Sequence, residues 1–149
     1  MNDEYFMNQA IALAKEAAEE GEVPVGAVVV FDGKIVGKGR NRREISKNAL
    51  AHAEIEAINE ACRALGGWRL WQCDIYVTLE PCPMCTGAII NSRIKRLVYG
   101  ASDYKAGSCG SVVDLFSLPY NHKPEVVSGV MQEECAALLT DFFKKLRKK

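Results

Sequence analysis

Two short segments, far apart in the sequence, constrain the fold of this chain more than any other feature. They are His52-Ala53-Glu54 and Pro81-Cys82-Pro83-Met84-Cys85. One histidine and two cysteines in a C-x2-C spacing are three good zinc ligands, and catalytic zinc sites use three protein ligands and leave the fourth position to water. A structural site would fill that position with another side chain. The fold must therefore bring both segments to one ion, with an acidic residue beside it.

Helix geometry limits where these residues can lie. Positions two apart on an ideal helix diverge by about 200°, so His52 and Glu54 can share a site only at the first turn of a helix. Cys82 and Cys85 also stand where a helix begins, because Pro83 occupies the first-turn position that proline favours. We therefore expect two helix N-termini to converge on the metal, where their dipoles stabilise thiolates and other negative charge.

The acidic residue of the first segment has the surroundings of a proton carrier. Glu54 falls on one helical stripe with Ala57, Ile58, Ala61 and Leu65. A carboxylate on a core-facing stripe is desolvated, which raises its pKa. Such a group suits proton transfer between a water and a leaving nitrogen, typically worth about 10²–10⁴ in rate.

Each segment alone has another interpretation. A C-x2-C at a helix start is also typical of a redox dithiol, and a lone His-x-Glu carries little information. Together, and in this order, they match the H-x-E and P-C-x-x-C signature of zinc-dependent nucleobase deaminases, in which the glutamate is not a ligand. The pair therefore favours a catalytic zinc ion held by His52, Cys82 and Cys85.

Length and charge set the scale of the molecule. A chain of 149 residues with 48% hydrophobic content suits one domain, residues 1–149. Nineteen basic and nineteen acidic residues balance, but residues 144–149 hold five basic side chains and no acid, and Arg40, Arg42, Arg43 and Lys47 fall in one later loop. These clusters could bind a polyanion, although charge alone is equally compatible with solvated surface residues.

The sequence also bears on location. It contains no apolar run long enough to span a bilayer, and it begins with an acidic amphipathic helix rather than a signal peptide. Six cysteines with one C-x2-C do not resemble a secreted disulfide scaffold at this length. We expect no membrane association and a cytoplasmic location.

Hydrophobic periodicity and turn residues predict the order of elements. A first helix ends at Gly21, and two strands joined by the turn Asp32-Gly33 follow. A polar loop leads to further helices and strands. The predicted strands span 25–31, 34–39, 75–78, 97–100 and 125–130, and the later helices span 51–65, 83–91, 112–116 and 133–148. This order predicts a three-layer α/β/α sandwich around a mixed five-stranded sheet.

Several further segments carry a family resemblance. They are Glu22 to Ala27, Arg40-Asn41-Arg42, Ala51 to Glu54, Thr78 to Cys82, Ser92-Arg93-Ile94, Gly107 to Ser111 and Glu134 to Leu139. With these segments the chain closely resembles the bacterial tRNA-specific adenosine deaminases over nearly its whole length. The resemblance implies a cytidine deaminase-like fold, a homodimer, one zinc ion per subunit and hydrolytic conversion of adenosine to inosine. The substrate it implies is the wobble position of an arginine tRNA, bound as the anticodon stem-loop.

The resemblance also assigns roles to single residues. It implies that His52, Cys82 and Cys85 bind zinc and that Glu54 is the proton donor. It places Asn41 where an asparagine hydrogen-bonds the flipped base, and an amide suits an adenine edge. The alternative role of Asn41 is that of a turn residue ending the hairpin.

Five more residues are expected near the substrate, and all of them except Ala53 have a structural alternative. Pro24 and Val25 would form walls of the pocket or belong to the ordinary core, and Ala53 would contact the substrate beside Glu54. Asp103 would accept a hydrogen bond from a ribose 2′-hydroxyl, or it would cap a loop or helix. His122 matches a family position near the RNA, and its alternative is a plain surface histidine.

Two other functions remain open. A free-base or nucleoside deaminase, such as a guanine deaminase, carries the same Glu-Pro-Cys-Pro-Met-Cys segment but has no need of the basic cluster at 144–149. A zinc-stabilised RNA-binding module would have no use for Glu54. A Glu54→Ala variant that keeps its metal but loses activity would separate the enzymes from the binding module.

Overall fold

The computed structural model describes residues 2–148, so Lys149 of the basic cluster lies outside the described residues. The helices are α1 (Asp3–Glu19), α2 (Arg43–Ser46), α3 (Ala53–Leu65), α4 (Pro83–Asn91) and α5 (Gln132–Arg147). The strands are β1 (Gly26–Phe31), β2 (Lys34–Arg40), β3 (Cys73–Leu79), β4 (Arg96–Ala101) and β5 (Glu125–Val127). A short 3₁₀ helix spans Leu115–Ser117.

The five strands form one mixed sheet in the order β2-β1-β3-β4-β5. The β1 strand is antiparallel to both of its neighbours, whereas β3, β4 and β5 run parallel. Helices α1 and α5 pack on one face of the sheet, and α3 and α4 pack on the other. The predicted three-layer sandwich is confirmed. Because β3 is followed by α4 and runs parallel to β4, its carboxyl end is the edge where a site is expected.

The hairpin turn has the conformation that the sequence predicts. Asp32 and Gly33 have φ angles of 51° and 75°, and both positions of a type I′ turn require positive values. The turn sets the antiparallel pairing of β1 with β2. The opposite end of β2 leads through Arg40 to Asn41 and so carries the chain toward the site.

Helix α3 lies unusually close to β2. A Cβ atom added at Gly39 would overlap the carbonyl oxygen of Ala53 and lie 2.8 Å from the backbone nitrogen of Ala57. A Cβ at Gly37 would overlap the Ala57 carbonyl oxygen in the same way. The two glycines therefore allow the first turns of α3, which carry Glu54, to pack directly on the sheet.

We expect Gly39→Ala to lower the free energy of unfolding by about 1–3 kcal/mol, because the added methyl group overpacks a backbone contact. Thermal or urea unfolding measures the change. The control is Gly67→Ala, since a Cβ at that exposed glycine meets no atom within 4 Å. Equal stability of the two variants would contradict the close packing of α3 on β2.

A charged network anchors α1 at the edge of the sheet remote from the carboxyl end of β3. Arg96 binds both carboxylate oxygens of Asp3, at 2.9 and 2.6 Å, and Tyr76 donates its hydroxyl to the same carboxylate at 2.7 Å. Asp74 and Glu125 lie 3.5 and 3.3 Å from the same guanidinium. The hydrogen bond from Arg96 lowers the pKa of Asp3. The first turn of α1 is thus fixed to the start of β4.

Helix α2 lies in a segment that the sequence predicts as a polar loop. Its first residues have no capping side chain of their own. Instead, the buried carboxylate of Glu22 accepts hydrogen bonds from the backbone N–H groups of Glu44 and Ile45, at 3.2 and 2.7 Å. A distant acceptor therefore replaces the local capping signal.

Two other elements depart from the prediction by three residues at one boundary. The β5 strand ends at Val127 rather than at residue 130, because Gly129 turns the chain with a φ of 78°. The short helix predicted over 112–116 is the 3₁₀ helix at Leu115–Ser117, since the Asp114 carboxylate accepts the Phe116 N–H and fixes its start there. Within residues 2–148, none of the helices combines the length and the apolar character needed to cross a bilayer.

Candidate active site

Two helix N-termini meet at the carboxyl end of β3. His52 is the N-cap residue of α3, and Cys82 is the N-cap residue of α4, followed by Pro83 at the first helical position. Neither residue uses its side chain as a cap, so both side chains are available to a ligand. The convergence of the two helices, which the spacing predicts, is confirmed. The positive ends of both helix dipoles therefore face the same point.

The geometry of this cluster fits a tetrahedral metal ion. The Nδ1 atom of His52 lies 3.7 Å from the Sγ of Cys82 and 3.5 Å from the Sγ of Cys85. A tetrahedral ion with bonds of about 2.1 Å to nitrogen and about 2.3 Å to sulfur would separate those atoms by about 3.6 Å. Among the described residues, no fourth histidine, cysteine or acid joins the group. The three residues could hold a metal ion and leave one coordination position.

The side chains of Cys82 and Cys85 are joined by a hydrogen bond, and this bond shifts their pKa values in opposite directions. Hydrogen bonds from Cys85 and then from His52 lower the pKa of Cys82 to about 4, so this sulfur is a thiolate at neutral pH. The thiol of Cys85 donates to Cys82, and that bond, together with burial, raises the pKa of Cys85. A divalent ion between the sulfurs would remove the second proton as well. The Cys82 sulfur is thus already in the thiolate form that binds a metal, and the Cys85 thiol lies next to it.

Glu54 is buried beside the cluster. It is the second residue of α3, and only 4% of it is exposed. Burial raises the pKa of its carboxyl group to about 7. Ala57, Ile58 and Ala61 share the buried stripe of the helix, as predicted, whereas Leu65 is 39% exposed. The site therefore contains one carboxyl group that can hold or release a proton near neutral pH.

A cavity of about 210 Å³ opens over these groups. Its lining residues come from three segments of the chain and from the two helix starts. They are Val23, Val25, Asn41, Arg43, His52, Ala53, Glu54, Leu79, Glu80, Cys82, Asp103 and Ala106. The cavity combines apolar lining residues with a few polar groups, which is the usual composition of a small-molecule site.

Asn41 is fixed at the wall of this cavity. Its Nδ2 donates to the carbonyl oxygen of Val23 at 3.1 Å, and its Oδ1 accepts the N–H of Arg43 at 3.3 Å. An asparagine amide has two N–H groups and two lone pairs, so one donor and one acceptor site remain for a ligand. The turn role and the binding role proposed from sequence are therefore compatible.

The other predicted contact residues divide into those at the cavity and those elsewhere. Val25, Ala53 and Asp103 line it. Pro24 does not: it is buried, and Val23 and Val25 on either side face the cavity instead. Alternation along an extended segment explains this, since neighbouring side chains point to opposite sides.

Asp103 and His122 also have structural roles. The Asp103 carboxylate accepts the N–H groups of Lys105 and Ala106, at 3.0 and 3.2 Å, and so forms a turn. The Nε2 of His122 lies 2.7 Å from the carbonyl oxygen of Ile94, just before β4 begins. Because β4 runs parallel to β3, this position is at the opposite end of the sheet from the cavity. The structure does not bring His122 to the cavity.

Sequence reasoning missed two buried acids near the cavity, Glu22 and Glu80. Glu22 is 1% exposed and Glu80 is 2% exposed. Burial alone would raise the pKa of Glu80, but hydrogen bonds from Ser111 and from backbone N–H groups outweigh it and hold this pKa below its usual value. The available signal was the position of each acid directly beside an apolar segment, where a solvated charge is unexpected.

A second groove adjoins the cavity. It shares Val23, Asn41 and Arg43 with the first and extends to the end of α5, where Phe143 and Leu146 line it. Four exposed basic residues stand next to these side chains at the end of α5: Lys144, Lys145, Arg147 and the C-cap residue Lys148. The end of α5 that carries this positive charge therefore adjoins the groove beside the cavity.

Comparison with known proteins places this chain in a family. A family model described as MafB19-like deaminase matches residues 1–147. A tRNA-specific adenosine deaminase of Bacillus subtilis (strain 168) is 51% identical over 148 residues, covering 99% of this chain and 92% of that protein. The chain belongs to the tRNA-specific adenosine deaminases.

Solved structures agree with membership of the tRNA-specific adenosine deaminases. A structure from a study of A-to-I editing by tRNA:A34 deaminases has a TM-score of 0.88 at 48% identity, covering 91% of this chain and 99% of that one. A Bacillus subtilis guanine deaminase has a TM-score of 0.68 at 35% identity, covering 100% and 96%. The expected cytidine deaminase-like fold is confirmed by the first of these.

Proposed function

We propose that this chain catalyses the hydrolytic deamination of adenosine to inosine at the wobble position of a tRNA anticodon, with an arginine tRNA as the substrate. The observation that carries the proposal is the identity of 51% to a tRNA-specific adenosine deaminase over nearly the whole chain. The cavity supports it, because two of the three candidate ligands, a buried acid and an asparagine amide line one space. The reaction adds water at C6 of adenine and releases ammonia.

We propose zinc as the metal, one ion per subunit, held by His52, Cys82 and Cys85. Two thiolates and one imidazole are a soft donor set that favours zinc over hard cations. When bound, zinc supplies a Lewis acid that lowers the pKa of water to about 7. The helix N-termini that carry the ligands favour the negative charge of the thiolates.

Glu54 carries the protons of the reaction in this proposal. Its carboxylate accepts one proton from the attacking water and delivers it to the ring nitrogen. It then accepts the second proton from the hydroxyl group formed at C6 and delivers it to the departing amine, so two protons are taken up and two are given away. Burial keeps both protonation states accessible and excludes competing water. Its position two residues after His52, in the lining of the same cavity, supports this role, and Glu54 is not one of the three candidate ligands.

The remaining lining residues hold the base. Asn41 has one N–H group and one acceptor site left for the adenine edge, while Val25 and Ala53 supply apolar contacts. A base in an anticodon loop is already unpaired, so the cost of moving it into a pocket is small. We also propose that Asp103, at the rim, accepts a hydrogen bond from a ribose 2′-hydroxyl.

The proposal also covers the oligomeric state of the protein and its location in the cell. We propose a homodimer, which the family resemblance implies, and a cytoplasmic location, since the proposed substrate is tRNA. Light scattering during gel filtration should give twice the mass of the chain. A monomer that deaminates RNA at full rate would refute the dimer without refuting the reaction.

The direct test uses unmodified tRNA transcripts and free guanine in parallel. We expect an A-to-G change at one anticodon position after sequencing, and no release of ammonia from guanine. The guanine reaction is the second candidate because a guanine deaminase shares the fold at 35% identity. Turnover of guanine with tRNA left unchanged would overturn the proposal in favour of that rival.

The basic end of α5 should contribute to RNA affinity. In the double variant Lys144→Gln and Lys145→Gln, we expect weaker binding of an anticodon stem-loop and a flatter dependence of log affinity on log salt. If each lysine contacts one phosphate, the slope should change by about 1.4 in total. Binding titrations at several salt concentrations measure it.

The matched control replaces Lys34 and Lys95 with glutamine. Both lysines are exposed and lie near the start of β3, at the end of the sheet opposite the cavity. The control should keep the salt slope of the unmodified protein. If both double variants behave alike, the basic end of α5 has no specific part in binding.

A further inference from the structure

Glu80 connects the metal-binding segment to a distant loop. It follows β3 directly and precedes Pro81-Cys82, and it lines the cavity while only 2% exposed. Its carboxylate accepts the N–H groups of Asp103 at 3.1 Å, Cys109 at 3.0 Å and Ser111 at 3.1 Å. The Ser111 hydroxyl donates a further short hydrogen bond to it. One buried carboxylate thus receives four hydrogen bonds from residues 103–111.

The loop is shaped around this carboxylate. Gly107 approaches so closely that an added Cβ would overlap both the carboxyl group of Glu80 and the carbonyl oxygen of Asp103. The N–H of Ser108 is bonded to the carbonyl oxygen of Pro81 at 2.9 Å, which adds a second attachment next to the first. Only a group with two acceptor oxygens can satisfy donors on all sides, since an amide presents N–H groups on one side.

This loop forms one wall of the cavity. Two of its residues line the cavity: Asp103 is itself anchored through its N–H group, and Ala106 lies between that anchor and the anchored N–H group of Cys109. A second wall carries Asn41 and Arg43, and the residues that follow them, Glu44 and Ile45, are held separately by hydrogen bonds to Glu22. Each wall is therefore attached to the rigid sheet and helices through its own buried acid.

We propose that Glu80 is a positioning residue, whose carboxylate fixes the 103–111 loop as a wall of the cavity and thereby sets the fit of the substrate base. It acts through the loop, because its four hydrogen bonds are made to loop residues. The substrate in this inference rests on the proposed function. The inference predicts that loosening the loop weakens substrate binding more than it slows the chemical step.

Glu80→Gln is the direct test. The amide nitrogen cannot accept, so up to two of the four hydrogen bonds are lost and N–H groups are left facing each other. We expect kcat/KM for an anticodon stem-loop RNA to fall by about ten- to a hundredfold, mostly through KM. Metal content should stay equal to that of the unmodified protein, since Glu80 has no hydrogen bond to the candidate ligands.

Ser111→Ala is a milder test of the same inference, and it still applies if Glu80→Gln fails to fold. It deletes one of the four hydrogen bonds and leaves the cavity lining unchanged, and we expect KM to rise by about threefold. The matched control is Ser117→Ala, which removes an exposed hydroxyl bonded to the Asp114 carbonyl oxygen at 2.6 Å. The control should leave kcat and KM unchanged.

Amide hydrogen exchange tests the same inference without any substrate. Peptides covering 103–111 should lose protection in Glu80→Gln and Ser111→Ala, while peptides covering 41–46 keep it. Faster exchange of the loop in a protein that does not act on RNA would uphold the anchor and refute the proposed function. Unchanged loop exchange, a lower melting temperature with unchanged KM, or loss of metal in Ser111→Ala would each overturn the role given to Glu80.

Discussion

Glu54→Gln is expected to lower the rate of deamination by about 10²–10⁴-fold while metal content and fold stay intact. The substitution keeps the shape of a side chain that is 4% exposed but removes its ability to carry a proton. Glu54 is not one of the three candidate ligands, so the metal should remain. Single-turnover assays with stem-loop RNA, together with metal analysis, measure both quantities.

Glu56→Gln is the matched control for that experiment. Glu56 lies on the same helix, two residues further along, and its carboxylate lies 3.5 Å from the Nε of Arg42, with both side chains partly exposed. Its rate should stay within a few-fold of the unmodified enzyme. Retained activity in Glu54→Gln, or an equal loss in both variants, would remove the proposed proton carrier.

Cys82→Ala is expected to abolish metal binding and, with it, activity. Three ligands hold the proposed ion, and the sulfur of Cys82 is the one already deprotonated at neutral pH because its pKa is about 4. Loss of a thiolate leaves two protein donors, which are too few for a stable zinc site. His52→Ala should behave in the same way. After dialysis, elemental analysis should find one zinc ion per chain in the unmodified protein and about none in either variant.

The control for the metal experiment is Cys62→Ala, which removes a thiol from α3 outside the cluster. It should retain one metal ion per chain and normal activity. Full metal content in Cys82→Ala would contradict the assigned ligand set. Restoring activity by adding zinc to the chelated unmodified protein, but not to Cys82→Ala, would separate metal loss from misfolding.

The helix starts that build the metal cluster could be predicted because their signals are local. His52 and Glu54 share a site only at a first turn, and Pro83 marks the start of α4 beside Cys82. The layers and the mixed five-stranded sheet follow from the alternation of helical and strand-like segments, and the structure confirms them, whereas the order of the strands within the sheet was not predicted. Spacing within a few residues was therefore enough to predict the convergence of two elements that are distant in sequence.

The supports around that cluster could not be predicted in the same way. Glu80 binds a loop 23 to 31 residues away, and Glu22 caps α2 from 22 to 23 residues away. No local pattern connects a carboxylate to backbone N–H groups at such distances. Pro24 was expected at the cavity but does not line it. Alternate side chains of an extended segment point to opposite sides, and the sequence alone does not tell which set faces the cavity.

The Asp3–Arg96 attachment has a practical consequence for single-molecule and surface measurements. It fixes the first turn of α1 at the edge of the sheet opposite the cavity, whereas the end of α5 lies next to the groove that adjoins the cavity. A dye or biotin coupled near the amino end would leave the mouth of the pocket facing solution. The same label at the carboxyl end would crowd the approach of a large nucleic acid.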